Sequence, residues 1–376
     1  MKMMTPKSEA ELAEMVAGAD GPLWVKGGGT RGLGGAGEVV SVAGIAGVEL
    51  YEPGALTLVV RAGTPVAEIE AVLAAENQRL AFEPMDHRGL LGTTGEPTIG
   101  GVVAGNISGP RRVQAGACRD FLLGVRFVDG AGQVVRNGGR VMKNVTGYDL
   151  VKLMAGSWGT LGILTEVALK VLPRPESEAT LTVATAEAAV AVKAMAAALG
   201  SPFEVSGAAF DPEAGTRIRI EGFESSVSYR ASRLQEILVP FGAVTVESGP
   251  EQSSAIWRDL RDVAPFHGGA GDVWRLSVKP TDAPEVAARL RAERVLYDWG
   301  GGLIWALVPE GTDLRARLGG VAGHATLVRA SEATRARLGV FQPEPEPLRR
   351  ISEGLRARFD PRGILNPGLM AQPVEA

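Results

Sequence analysis

Glycine constrains this chain more than any other residue. It occupies 50 of 376 positions, and 30 of those fall within residues 1–170. Average usage of ~7% would put only about 26 in the whole chain. Glycine lacks a Cβ, so it lets main chain approach other atoms closely and adopts positive φ without strain. It also weakens helices and strand interiors. A first half this rich in glycine must therefore fold as short elements joined by tight turns. Its natural use is to bring backbone against a large ligand.

The apolar pattern agrees. Leu23–Lys26, Val39–Ala43, Thr57–Ala62, Leu122–Val128, Val134–Val135 and Ile163–Val171 read as strands. Pro65–Glu76 reads as a helix with Val66, Ile69, Val72 and Leu73 on one face, and Asn144–Ala155 as another. Ser8 and Glu11 form a capping-box pattern, with Glu11 reaching back to the Ser8 N–H, for a helix ending near Gly18. Strands with occasional helices, without regular βαβ repetition, point to an α+β fold rather than a doubly wound sheet. The prolines of Leu172–Ser177 mark a boundary. Beyond it, Thr180–Ala184, Ala186–Leu199, Phe203–Phe210, Thr216–Gly222, Ser225–Leu238 and Ala243–Glu247 give the order βαββαβ of a ferredoxin-like unit. Strands follow at Val273–Val278, Leu303–Val308 and Ala325–Arg329, then a proline-rich linker and a last helix, Leu348–Phe359. No long internal repeat is visible.

Composition removes several function classes. A net charge of −4, from 39 basic and 43 acidic residues, argues against a nucleic-acid binder. A single cysteine, Cys118, cannot make an internal disulfide, a four-cysteine zinc site or a cysteine-held iron–sulfur cluster. His87, His267 and His324 are the only histidines, too few for a rich metal site. No apolar run approaches the ~18 residues of a membrane-spanning helix. Glu9, Glu11 and Glu14 interrupt any signal-peptide core, so the expected compartment is the cytoplasm. On that view the acceptor patterns Asn106-Ile107-Ser108 and Asn144-Val145-Thr146 stay unglycosylated.

Two glycine clusters carry the chemistry. Gly27, Gly29 and Gly32 spell a dinucleotide fingerprint after a strand, but Gly34, Gly35 and Gly37 prevent the helix which that fingerprint requires. A loop of successive N–H groups, forming an anion nest for a pyrophosphate, fits better. The second cluster runs from Thr98 to Gly109. Asp120 follows, then Lys143–Leu153 (KNVTGYDLVKL) and Gly159–Thr165 (GTLGILT), and the chain closes on Asn366-Pro367-Gly368.

In the order and spacing of these segments the chain resembles the FAD-linked oxidases of the vanillyl-alcohol-oxidase type, over essentially its whole length. The KNVTGYDLVKL run and Asp298-Trp299-Gly300-Gly301 resemble the branch of FAD-binding E subunits of bacterial glycolate oxidases. The resemblance implies a two-lobed PCMH-type FAD-binding domain over 1–175, a ferredoxin-like α+β cap over 176–345, and a C-terminal helix and tail over 346–376 packing back on the first domain. It implies non-covalent FAD, with Lys26, Gly27, Gly28, Gly29, Thr30 and Arg31 around the pyrophosphate. Pro84, Thr98, Gly100, Gly101, Gly105 and Asn106 would line the flavin side, Gly162, Ile163 and Thr165 would serve the adenosine half or ring edge through main-chain groups, and Asp120 would join the cofactor set. Implied partners are a catalytic FAD subunit, an iron–sulfur subunit and a small 2-hydroxy acid, with membrane contact at most peripheral.

Departures from the family matter. Gln114-Ala115-Gly116 and Leu369 replace an aromatic–glycine pair and a basic residue. The histidine-rich metal motif of relatives that oxidise 2-hydroxy acids alone is reduced to His267-Gly268-Gly269-Ala270-Gly271-Asp272. No metal site is expected, and no catalytic residue stands out. Three functions remain open: a subunit of a glycolate oxidase, a stand-alone oxidase of another hydroxy acid or alcohol, and a non-catalytic assembly subunit. Arg111-Arg112 could hold a carboxylate or an anionic flavin, or be a solvated loop. The cap tryptophans could be core or a docking surface.

Overall fold

The computed structural model describes residues 3–140, 147–319 and 322–370. The chain divides into two compact units: Met1–Ser108 with Ala117–Arg174 and Pro343–Gln372, and Gly109–Gly116 with Pro175–Gln342 and Pro373–Ala376.

The first unit holds a parallel three-stranded sheet of β1 (Met3–Met4), β2 (Leu23–Lys26) and β3 (Glu38–Ser41), ordered β1-β3-β2. Beside it lies an antiparallel five-stranded sheet. Its strands are β4 (Val48–Glu52), β5 (Thr57–Arg61), β7 (Leu122–Val128), β8 (Val134–Gly138) and β9 (Ile163–Lys170), ordered β4-β5-β9-β7-β8. Short strands β6 (Gln78–Arg79) and β10 (Leu172–Pro173) form a separate ribbon. Central β9 is buried along most of its length, which is why its sequence runs apolar instead of alternating.

Leu12 and Val16 of the first helix, Glu9–Ala17, pack with Val40, Ile45, Val128 and Ile163. Ser8 caps that helix by accepting from the Glu11 N–H at 3.1 Å. The return bond differs from the expected box: the Glu11 carboxylate accepts from the Lys7 N–H at 2.7 Å. The tail threads back onto β2, with Leu23 N–H donating to Ile364 O and Asn366 N–H to Leu23 O. The helix expected from Asn144 is observed over Leu150–Met154, N-capped by Asp149, and residues 141–146 lie outside the described residues.

The second unit is one eight-stranded antiparallel sheet. Its strands are β11 (Ser177–Val183), β12 (Gly207–Asp211), β13 (Gly215–Gly222), β14 (Val244–Ser248), β15 (Asp272–Val278), β16 (Arg294–Asp298), β17 (Leu303–Val308) and β18 (Gly323–Arg329). Their order is β14-β11-β13-β12-β16-β17-β15-β18. The first four strands and their two helices make the expected βαββαβ unit. The last four make a second, with helices Ala283–Leu290 and Leu314–Leu318. The halves have mirrored strand orders and meet where Phe210 pairs with Tyr297. The unit is thus a structural duplication that no sequence repeat announced. The missing piece was β16, whose short, charged sequence RVLYD carries little strand signal.

Strand alternation gives this sheet two unlike faces. Leu181, Ile218, Phe210, Trp274, Leu276 and Ile304 enter an apolar core under helices Ala188–Leu199 and Glu224–Leu238. The other face carries Glu178, Thr180, Arg219, Glu221, Arg275 and His324. Trp257, Trp274 and Trp305 are buried and so belong to the interior rather than a docking surface.

Candidate functional site

The first unit contains a cleft of about 810 Å³ of empty space, open to solvent. Three backbone walls form it: the loop Lys26–Leu33 leaving β2, the short helix Ile99–Ala104, and the turn from Trp158 into β9. Of the residues singled out in the sequence, Lys26, Gly27, Gly28, Gly29, Thr30, Arg31, Thr98, Gly100, Gly101, Gly162 and Ile163 line it.

The glycines serve close packing of these walls. A Cβ on Gly28 would overlap the Glu96 carbonyl, and one on Gly27 would overlap the Thr98 hydroxyl. Gly100 lies against Ala62, whose carbonyl accepts the Gly100 N–H at 2.8 Å. Gly29 has φ +74°, a backbone form that favours glycine, with nothing closer than 4.0 Å to where a Cβ would be. Thr98 caps its helix by accepting from the Gly101 N–H at 3.4 Å.

Arg31 supplies the charge. Its Nε is buried without a hydrogen-bond partner, and among the described residues its guanidinium has no ion pair. Burial pulls its pKa down to about 10, with Cys118 opposing only weakly. Nη1 stands 2.8 Å from where a Gly101 Cβ would sit, so any larger residue there would press on the guanidinium. A buried, unpaired cation in a cleft is costly unless an anion completes it. Two phosphates and a planar ring system would meet this cation, a left-handed glycine loop and the indole of Trp158. The residues present therefore fit FAD.

Five of the singled-out residues do not line the cleft. Thr165 donates from Oγ1 to Glu9 Oε1 at 2.6 Å, and its carbonyl accepts the Ala62 N–H. Strand alternation turns its side chain toward a second, polar cavity with Glu9, Arg61 and Arg126. Asp120 is exposed and accepts the Ala117 N–H at 2.8 Å, capping a 3₁₀ turn. Asn106 accepts the Arg119 N–H at 3.0 Å and thus braces the same turn. Gly105 ends the helix against Ile107, and Pro84 is buried elsewhere.

Residues absent from that set also line the cleft: Trp24, Trp158, Gly159, Asn366 and Leu369 among them. Asn366 (φ +44°) accepts the Val25 N–H at 2.7 Å through Oδ1 and donates from Nδ2 to Trp158 O at 2.8 Å. It ties two walls together. The Asn-Pro-Gly tail and the Gly-Ser-Trp-Gly run were the available signals, but a clasp between residues 341 positions apart has no local signature.

Cys118 is buried, and burial holds its thiol far above the usual range, so it behaves as a small apolar group. His87 is buried and does not line the cleft. In the second unit, His267 contacts the Asp262 carbonyl at 2.8 Å from an exposed turn before β15, as a glycine turn would place it. His324 stands on β18. Burial, then Arg275 and Arg112, holds its imidazole below its usual pKa. Among the described residues no three His, Cys, Asp or Glu side chains could together hold a metal ion. None of the described helices is long and apolar enough to cross a membrane.

Comparison with known proteins shows the family. A family model described as FAD binding domain matches residues 2–138. Glycolate oxidase subunit GlcE of Escherichia coli is 39% identical over 338 residues, 89% of this chain and 87% of that protein. Glycolate oxidase subunit GlcD of Bacillus subtilis is 39% identical over 126 residues, 34% of this chain and 25% of that protein. A solved structure of alkyldihydroxyacetonephosphate synthase superposes with TM-score 0.70 at 17% identity, covering 97% of this chain and 76% of that one. The chain belongs to the FAD-linked oxidases of the vanillyl-alcohol-oxidase type, in the group of glycolate oxidase subunit GlcE, and its cofactor is FAD.

Proposed function

We propose that this chain is the FAD-binding subunit of a multi-subunit glycolate oxidase. It works with a catalytic FAD subunit and an iron–sulfur subunit to convert glycolate to glyoxylate and pass the electrons on. The observation that carries the reading is the cleft with its unpaired Arg31, in a chain similar along nearly its full length to a GlcE subunit. FAD, when bound, supplies the acceptor for the two electrons of a CH–OH oxidation. The backbone of Lys26–Arg31 and the Arg31 guanidinium hold the phosphates non-covalently, Thr98–Gly101 and Gly162–Ile163 flank the rest, and Asn366 fixes the walls. The domain division proposed from the sequence, 1–175, 176–345 and 346–376, and a cytoplasmic or membrane-peripheral location through partners, belong to the same reading.

The second unit offers His267 and His324 on separate elements with arginines, not carboxylates, beside His324. This supports a division of labour, because proton removal from a hydroxy acid needs a positioned base. The test is glycolate-dependent dye reduction by the purified chain, alone and with its partner subunits. Low activity alone that rises with partners is expected. Full activity alone would make it a stand-alone oxidase, and no gain with partners would make it an assembly subunit. Acid precipitation should release the flavin.

A further inference from the structure

A chain of hydrogen bonds links the walls of the cleft in the first unit, and one side chain closes it. The Trp158 N–H donates to the Ala104 carbonyl at 3.0 Å, joining the turn before β9 to the helix Ile99–Ala104. The Trp158 carbonyl accepts Asn366 Nδ2 at 2.8 Å, and Asn366 Oδ1 accepts the Val25 N–H of β2 at 2.7 Å. The loop leaving β2 meets the start of the helix where Gly27 lies against Thr98. All three walls and the tail belong to the first unit.

The tail is anchored on one side of Asn366 and lightly held on the other. Ile364 and Leu365 are buried in the core with Leu23, Leu365 pairs with Leu23, and the Leu365 N–H donates to Asp360 Oδ2 at 2.7 Å. Past Asn366, Pro367, Leu369 and Met370 are half-buried and Gly368 is exposed. The Leu369 N–H turns back to the Asn366 carbonyl at 3.2 Å, and Leu369 lines the cleft. Asn366 and Trp158, at the two ends of one hydrogen bond, hold φ of +44° and +54°. Such backbone forms are uncommon outside glycine and persist where the surroundings fix them. Release of the amide therefore lets both segments relax. Elsewhere the walls are close-packed and leave no slack: a Cβ on Gly28 would overlap the Glu96 carbonyl, and one on Gly100 would press on Ala62. A long ligand with a planar ring system enters and leaves where such walls can part.

We propose that residues 366–370 form a strap, latched by the Asn366 amide, that sets the rate at which FAD enters and leaves the cleft. Asn366 is then a positioning residue that acts through Val25 and Trp158. A latch adds one barrier common to entry and exit, so its loss speeds both by the same factor and leaves the equilibrium between them in place. The inference rests on FAD as the ligand of the cleft and not on the identity of the acid oxidised.

The experiment uses the full-length chain, stripped of flavin, with FAD as the probe. Association is followed by flavin fluorescence in stopped flow, and dissociation by its change after rapid dilution. Asn366→Gly keeps the left-handed backbone and removes the amide. It should speed association and dissociation alike, roughly tenfold for two lost hydrogen bonds, with the dissociation constant nearly unchanged. If Asn366→Gly does not fold, Leu369→Ala, at a half-buried position, loosens the strap with the latch intact and should speed both rates by a smaller factor. Faster dissociation with unchanged association would overturn the strap and leave Asn366 a brace. Both rates unchanged in the variants that fold would overturn it too. A parent chain that binds no FAD would overturn the cleft assignment and the strap with it. The glycolate assay with partner subunits bears on the proposed function and leaves these rates untouched, so the two failures are distinct.

Discussion

The two units are built for opposite kinds of surface. The cleft of the first is built from main chain: glycines at 27, 28, 100 and 101 let three backbone segments close on one another, and Lys26 and Arg31 supply charge. The polar face of the second is built from side chains, with Arg219, Glu221, Arg275 and His324 standing out from strands of the antiparallel ladder. The first kind of site tolerates no added atom at Gly28 and Gly100, because a Cβ there meets backbone that cannot rotate away. The second tolerates changes of size and responds to changes of charge.

The largest effect should come from adding atoms to the first unit. In Gly28→Val the new Cβ overlaps the Glu96 carbonyl, so the loop must separate from its neighbour. A loss above ~4 kcal/mol is expected, in the range of severe core strain. The protein should express poorly and purify colourless. Gly54→Ala is the control, since nothing lies within 4 Å of its Cβ. It should stay within ~0.5 kcal/mol of the parent in a denaturant titration. A soluble, yellow Gly28→Val protein would break the claim that this wall is fixed by backbone contact.

In the second unit the comparable injury is to charge. Arg111 and Glu221 are almost wholly buried and paired twice, with one contact, Nη2 to Oε1, at 2.7 Å. Arg219, also buried, lies 3.9 Å from the same carboxylate. Glu221→Gln keeps the shape and removes the carboxylate charge from beside two guanidiniums. The cost should be ~3 kcal/mol in chemical denaturation, typical of a broken buried pair. FAD affinity should not change. A loss of flavin without a loss of stability would show that the two units are not separable in this way.

Arg31→Gln tests the guanidinium of the cleft. Hydrogen bonds to charged groups contribute ~1.5–3 kcal/mol, so FAD should bind roughly 10- to 100-fold more weakly, read by flavin fluorescence. The FAD-free protein should melt no lower than the parent, because an unpaired buried charge has been removed. Equal FAD affinity in parent and variant would mean that the Arg31 guanidinium does not hold the phosphates.

This contrast also explains what the sequence made legible. Backbone recognition writes itself into composition: the Gly27–Gly32 and Thr98–Gly101 clusters mark two of the three cleft walls in the sequence itself. A side-chain cluster does not, because Arg112, Arg275 and His324 come from a short helix and two strands spread over more than 200 residues. The first βαββαβ half was readable from alternation and helix periodicity. The second was obscured by short β16 and by the five-residue helix Leu314–Leu318, which are specified by pairing and burial more than by local propensity. Thr165, Asp120 and Asn106 were drawn toward the cleft by their motifs. Their bonds to Glu9, to the Ala117 N–H and to the Arg119 N–H use them as braces instead.

The smallest effect sharpens the boundary of the cleft at Thr165. Its hydroxyl donates to Glu9, whose carboxylate also receives Arg126 Nε at 3.1 Å. Burial alone would raise the Glu9 pKa, but the hydrogen bonds from Arg126 and Thr165 and the charge of Arg126 outweigh it and hold the group below its ordinary 4.5. A carboxyl whose folded pKa is depressed stabilises the fold above its unfolded pKa, and that stability is lost as pH falls through the folded value. Glu9→Gln should therefore cost ~1 kcal/mol at pH 7, a modest figure because the pair is partly solvated. The difference from the parent should shrink as pH falls below about 4.5, where the parent carboxyl takes up its proton. FAD affinity should be the same in both proteins at pH 7, since Glu9 and the Thr165 hydroxyl face the polar cavity. A flavin affinity that drops with Glu9→Gln would put Thr165 back in the cofactor's surroundings, and would mean that β9 presents side chains as well as backbone to the cleft.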